Sequence, residues 1–247
     1  MITVRKAADR GSFDFGWLDT RHSFSFGDYH DPDQMGFRAL RVINEDRVKP
    51  GQGFGKHGHR DMEILTWVME GALEHEDNTG THGVIRHGDV QRMSAGTGIM
   101  HSEFNGSKQE PVHFYQIWIV PDRRGAPPRY DDKGFPAEGR SNRLQLLASP
   151  DGAGGSLTLH RNVRVYAADL EAGKEISLDV GDGRGVWVQV TKGSVGVGHG
   201  FGVGKGGLEC AGEWAGLGAG DGAAMDGERK LAIRAEAPSQ ILVFDLD

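Results

Sequence analysis

Short apolar runs punctuated by turn residues dominate this chain. Met62–Met69, Val112–Val120, Ser156–Leu170, Val186–Thr191 and Gln240–Leu246 are rich in Val, Ile, Leu, Trp, Tyr and Phe, with Gly, Asp, Asn or Pro at their borders. Few segments carry the periodicity of a long amphipathic helix. Strands this short, with turn signals this frequent, predict an all-β sandwich or barrel rather than alternating βα units. Glycine supplies 39 of 247 residues, about twice the usual share of roughly 7%. It shows no Gly-X-Y period, so the excess reads as turns between strands.

The pattern repeats. Residues 67–75 (WVMEGALEH) read as strand, glycine turn, strand, and residues 187–197 (WVQVTKGSVGV) have the same layout. HGDVQRM at 87–93 and AGDGAAM at 219–225 both place Met four positions after Gly-Asp. The offset is 120 at the Trp-Val pair and 132 at the Gly-Asp pair. The added length falls in the glycine-rich stretch 193–222, read as a mobile surface insertion with no phosphate-binding signature. The polar segment Pro121–Asn142 holds four of the nine prolines and reads as the connection between halves. These features predict a duplicated all-β architecture, with domains at 1–135 and 136–247.

A net charge of −7 argues against direct nucleic-acid binding, which needs a basic surface. No run of about 18 apolar residues exists to span a membrane as a helix. No secretory signal opens the chain. The single cysteine, Cys210, excludes an internal disulfide and any multi-cysteine metal site; it reads as an apolar filler. A soluble, cytoplasmic protein is expected.

Nine of the 11 histidines precede residue 114, which places a candidate site in the first half. His57 and His59 are two apart, as are His101 and Glu103. Residues i and i+2 of a strand share a face, so each pair can present two donors to one point. Two such strands facing each other would offer three imidazoles and one carboxylate. That set suits Fe, Mn, Co, Ni, Cu or Zn. It is close to the two-His-one-carboxylate arrangement of non-haem iron oxygenases, and it leaves open positions on an octahedral ion. Glu63 is either a fifth ligand or an acceptor that orients a ligand ring. His22, His30, His75, His82 and His87 read as solvent-facing, and His113 and His160 as satisfied core histidines. Phe24, Phe26, Phe54, Phe114, Tyr115 and Trp118 are candidates either for an aromatic substrate pocket or for core.

Gly51-x5-His57-x-His59-x3-Glu63-x7-Gly71, followed by Gly88-Asp-x4-Ser94-Ala-Gly-x-Gly98-x2-His101-Ser-Glu103, resembles the two cupin motifs in their pirin form. Residues 21–32 and 38–80 and the ending QILVFDLD also resemble bacterial pirin-like proteins. The likeness is dense over 12–121 and thinner beyond. Ser94 stands where cupins usually carry proline, and His101 lies two residues late; both departures are themselves pirin-like.

The resemblance implies a bicupin: two antiparallel, jelly-roll-type β-barrels side by side, with metal in the N-terminal one. Adding the repeat offsets to His57, His59, His101 and Glu103 lands near Ser177 and Asp179 and on Ile233 and Ala235, which make no transition-metal shell, so the C-terminal domain is expected to carry no metal. It implies His57, His59, His101 and Glu103 as ligands, and one divalent transition metal, iron(II) first. Bacterial members are similar to quercetin 2,3-dioxygenases, which open the central ring of a flavonol with O2 and release carbon monoxide. On that reading the partners are a flat aromatic substrate and O2, and Glu103 takes the proton of the flavonol 3-hydroxyl. The alternative is a non-catalytic, metal-binding regulator that acts through a protein partner, as animal members do. Fold alone does not choose between them.

Overall fold

The computed structural model describes residues 1–199, 201–204, 207–210 and 214–247. The insertion expected at 193–222 and the side chain of Cys210 fall wholly or partly outside the described residues.

Strands are numbered in chain order. β1 (Ile2–Arg5) is followed by β2 (Gly11–Asp14), β3 (Leu18–His22), β4 (Leu40–Val48), β5 (Gly53–His59), β6 (Glu63–Glu70), β7 (Ala72–Asp77), β8 (His82–Arg86), β9 (Asp89–Ser94), β10 (Ile99–Asn105), β11 (Val112–Ile119) and β12 (Arg129–Gly134). After a one-turn helix, α1 (Ala137–Arg140), come β13 (Gln145–Ser149), β14 (Leu157–Thr158), β15 (Arg164–Leu170), β16 (Glu175–Asp179), β17 (Gly185–Lys192), β18 (Ser194–His199), β19 (Phe201–Gly204), β20 (Gly207–Cys210), β21 (Ala215–Gly218), β22 (Gly222–Asp226), β23 (Lys230–Ala235) and β24 (Ser239–Leu246).

The chain divides into two compact units. One comprises Arg10–Pro136 with Ser149–Asn162, the other Met1–Asp9, Ala137–Ala148 and Val163–Asp247. The first contains a sheet of order β12-β9-β6-β11-β4-β3-β2 and a smaller one of order β5-β10-β7-β8. Val48, Val68, Leu73, Ile85, Val112 and Phe114 form its buried core. Val68, Val112 and Phe114 come from the large sheet, and Leu73 and Ile85 from the small one. Inward side chains therefore alternate with outward ones, as in any sheet with one wet face.

The second unit repeats the plan. Its sheets run β1-β22-β17-β24-β15-β13 and β16-β23-β18-β21, around Val186, Val188, Val190, Val195, Val197 and Ile241. Position by position, β22-β17-β24-β15 matches β9-β6-β11-β4, and β16-β23-β18-β21 matches β5-β10-β7-β8. The two sequence repeats are thus the equivalent hairpins β6–β7 and β17–β18. Gly71 and Gly193 turn them, each at φ 79°, where a side chain would be strained and a Cβ would press on backbone carbonyl oxygens at 2.7 and 2.3 Å.

The all-β, two-domain jelly-roll plan is as expected, with the strands of each half divided between two sheets rather than closed into one barrel. Two expectations are corrected. The run Ser156–Leu170 is interrupted between β14 and β15, where the polar residues His160, Arg161 and Asn162 form bends. The segment 121–142 is more than a connection: Arg129–Gly134 pairs with β9 as an edge strand. Its charged, exposed side chains hid it from hydrophobic patterning, and such charge is how edge strands avoid further pairing.

Candidate metal centre

The two histidine-bearing strands are hydrogen-bonded neighbours. In the β5–β10 ladder His57 lies opposite His101 and His59 opposite Ile99. Ring centroids of His57 and His101 are 4.4 Å apart, and His59 is 4.8 Å from each of the other two. The register shifts between His101 and Glu103, because β5 carries one extra residue between Phe54 and His57. Without that bulge, residues three apart would face opposite ways. With it, Phe54 and His57 both line one cavity, together with His59 and Glu103.

The expected ligands fall into two overlapping groups. Ligand atoms of His57, His59 and His101 lie within 4.8 Å of one another, as do those of His75, His101 and Glu103. His101 is common to both, and Glu103 is grouped with His101 and His75 rather than with His57 and His59. The Glu103 carboxylate is buried and gripped at both oxygens: Gln91 Nε2 donates to Oε1 at 2.9 Å, and Gln116 Nε2 to Oε2 at 2.8 Å. These glutamines belong to a polar row across the large sheet, in which His22 pairs with Asn44, Asn44 with Gln116, Gln116 with Thr66 and Thr66 with Gln91.

The residues present suit a divalent transition metal. The Nε2 atoms of His59 and His101 are buried with no hydrogen-bond partner among the described residues. Buried nitrogens are rarely left so unless something else takes the lone pair. His57 donates from Nδ1 to the Gly55 carbonyl at 2.8 Å, which leaves its Nε2 lone pair free. Burial, then the neighbouring His101 and His57, hold His59 down to about 4. Burial, then His57 and His75, hold His101 down to about 3. Both rings are neutral at pH 7, the form that binds a metal.

Two histidines read as solvent-facing are buried instead. His22 lines the cavity, held down to about 4 by burial, though a hydrogen bond with Phe26 opposes this. His75 is completely buried: its Nε2 lies 3.1 Å from Asp77 Oδ2, and its Nδ1 lies 3.2 Å from His101 Nδ1. The signal was legible as a third i, i+2 pair, His75-x-Asp77. His30, His82 and His87 are exposed as expected. His113 is largely buried and paired with Glu45 at 3.0 Å. His160 lies outside the strands, 3.4 Å from Glu63. Glu63 is not in either ligand group: the chain turns after His59, so Glu63 opens β6, where it accepts from the Ser94 hydroxyl at 2.9 Å.

The cavity measures about 440 Å3. Phe13, Phe15, Trp17, Phe26, Phe54 and Trp118 supply its aromatic walls, and Thr20, Asn44, Asp46 and Gln116 a polar patch. Of the aromatics named from sequence, Phe26, Phe54 and Trp118 line it, whereas Phe24, Phe114 and Tyr115 are buried core. Phe13, Phe15 and Trp17 were missed, because β2 and its turn carry no metal-site pattern.

Comparison with known proteins agrees with this architecture. The pirin family profile matches residues 3–119, and that of the quercetinase C-terminal cupin domain matches 146–246. A quercetin 2,3-dioxygenase of Escherichia coli K12 is 44% identical over 247 residues, covering 100% of this chain and 99% of that protein. The structure of the bacterial pirin YhhW from Escherichia coli in complex with nickel(II) superposes with a TM-score of 0.88 at 43% identity, covering 100% of this chain and 99% of that one. The Escherichia coli protein YhaK is similar at 29% identity and a TM-score of 0.72, with 96% and 97% covered. Two matched domains and a full-length relative lead to one conclusion: this chain belongs to the pirin family.

Proposed function

We propose that this protein is a metal-dependent dioxygenase of the quercetin 2,3-dioxygenase type, cleaving the central ring of a flavonol with O2. The 44% identity to the Escherichia coli enzyme over the full length of this chain supports the reading. The observation that carries it is the union of unpartnered imidazole nitrogens with an aromatic-walled cavity that also contains a carboxylate. A regulator acting through a protein surface needs no such cavity.

His57, His59, His101 and Glu103 would hold one divalent ion, which we assign as iron(II) in the native protein; the donor set, close to the two-His-one-carboxylate type, supports that choice. The related Escherichia coli pirin has been crystallised with nickel(II), which supports testing later metals as well. When bound, the ion supplies Lewis-acid polarisation of a substrate oxygen. Glu103 takes the proton of the flavonol 3-hydroxyl. The amides of Gln91 and Gln116 aim its carboxylate through one hydrogen bond to each oxygen. Phe26, Phe54 and Trp118 pack against the flat rings and exclude water. We place this activity in the cytoplasm.

Oxygen uptake with quercetin, on protein loaded with iron(II) or nickel(II), tests the proposal. Wild type should consume O2 only when both metal and quercetin are present. Glu103→Gln should lose about 10²-fold or more in turnover, the usual contribution of a positioned base. Metal-replete wild type without quercetin-dependent uptake would refute the substrate assignment.

A further inference from the structure

Beyond the ligands, a dry chain of three side chains runs outward from the site. Asp77, His75 and His101 are all buried. Asp77 Oδ2 lies 3.1 Å from His75 Nε2, and His75 Nδ1 lies 3.2 Å from His101 Nδ1. His101 Nε2, at the far end, is buried and unpartnered. The sheet builds this line directly, since β7 is the neighbour of β10 with Asp77 opposite His101 and His75 opposite Glu103. Tyr130 stacks over His75 with ring centroids 4.5 Å apart and closes the chain from water.

Each hydrogen bond in such a chain needs one donor and one acceptor, so the proton on one ring dictates the next. Asp77 is an acceptor. Its Oδ1 already takes the Thr79 amide at 2.8 Å, the Thr79 hydroxyl at 2.6 Å and the Thr81 amide at 3.2 Å. Its Oδ2 therefore takes the proton on His75 Nε2. With its ring proton on Nε2, His75 presents a bare Nδ1, which accepts from His101 Nδ1–H. His101 is left with its lone pair on Nε2, its buried and unpartnered nitrogen. Free imidazole side chains carry their proton on either nitrogen, and the wrong choice puts a hydrogen where the ion must sit.

We propose that Asp77 and His75 are positioning residues: they act as a two-step tautomer relay that locks His101 as an Nε2 metal ligand. This rests on the reading of His57, His59, His101 and Glu103 as the metal site. It also assigns His75, which shares a ligand group with His101 and Glu103, a role other than coordination, because both its nitrogens are already engaged.

Asp77→Asn separates charge from proton direction. The three donors at the Oδ1 side hold the new amide's oxygen there, so its NH2 must face His75 Nε2. His75 then carries its proton on Nδ1 and donates it to His101 Nδ1, and the His101 proton moves to Nε2. An equivalent substitution behind a catalytic histidine is known to act through the wrong tautomer.

The test uses imidazole nitrogen NMR on metal-free, 15N-labelled protein, and nickel(II) affinity measured against a competing chelator. Wild type should show His101 protonated at Nδ1 and His75 at Nε2. Asp77→Asn should reverse both, and should weaken nickel(II) binding about 10–100-fold, the usual effect of losing a residue that orients a ligand, with the thermal melt still cooperative. Wild-type His101 protonated at Nε2 would overturn the relay, as would a folded Asp77→Asn protein that binds nickel(II) as tightly as wild type. If the variant does not fold, the wild-type tautomers alone decide. Wild type that binds no nickel(II) but shows the expected tautomers would instead count against the metal-site reading.

Discussion

Asp46 is a carboxylic acid in the cavity wall. Burial is the main influence, opposed by a hydrogen bond with Thr20 and reinforced by Glu103, Glu45 and Asp19; together they push its carboxyl up to about 7. Thr20 is its cross-strand partner. The folded protein therefore holds a proton that the unfolded chain releases near pH 4. Stability falls as pH rises through that window, by roughly 1.4 kcal/mol per pH unit, and levels off above about 7. Asp46→Asn keeps the shape and removes the titration. In urea unfolding of metal-free protein, the variant should match wild type within about 1 kcal/mol below pH 4 and exceed it by a few kcal/mol at pH 8. An unchanged difference across that range would show that Asp46 is not held protonated.

At the scale of the element, the β5–β10 ladder leaves little room for substitution. Its strands approach closely because β5 reads Gly-Phe-Gly-Lys-His-Gly-His. A Cβ on Gly53 would lie 2.3 Å from the Glu103 carbonyl oxygen and 2.5 Å from Phe104 Cα. Both are backbone atoms, so no side-chain rotation relieves the overlap and the strands must part. Gly53→Ala should cost about 1–3 kcal/mol, as overpacking does, and should weaken nickel(II) binding by parting the strands that carry His57 and His101. Thermal melts and metal titration check this; wild-type values in both would mean that the ladder has slack the close contacts deny. The β5 bulge has a related effect on legibility. The two i, i+2 pairs were readable, because alternation is a property of any strand. That Phe54 shares the face of His57, three residues on, was not, because a bulge shows itself only against its partner strand.

At the scale of the whole molecule, the described residues of the second unit hold no counterpart of the three histidines and the carboxylate. The counterparts of β5 and β10 are β16 and β23, where Ile176 lies opposite Ile233 and Leu178 opposite Leu231. All four belong to or pack against the second core. The repeat offsets pointed to Ser177, Asp179, Ile233 and Ala235. Ser177 and Asp179 are exposed, because a register one residue out exchanges the faces of a strand. The inward positions are aliphatic and offer no donor. Elemental analysis should therefore find about one ion per chain, and none after replacing His57 and His101 by Ala together. A second ion that survives the double replacement would place a site in the C-terminal unit.

The all-β class, the duplicated plan and the histidine-carboxylate pairs were determined by the sequence alone, since turn residues, strand propensity and two-residue alternation are local. The tertiary structure decided which strands are neighbours. It set His57 against His101, brought Gln91 and Gln116 from the opposite sheet onto Glu103, and buried His75 and Asp77 behind His101. It also drew Phe13, Phe15 and Trp17 into the cavity wall. These pairings join residues far apart in the chain, and their registers are set by packing between sheets, which no local pattern encodes.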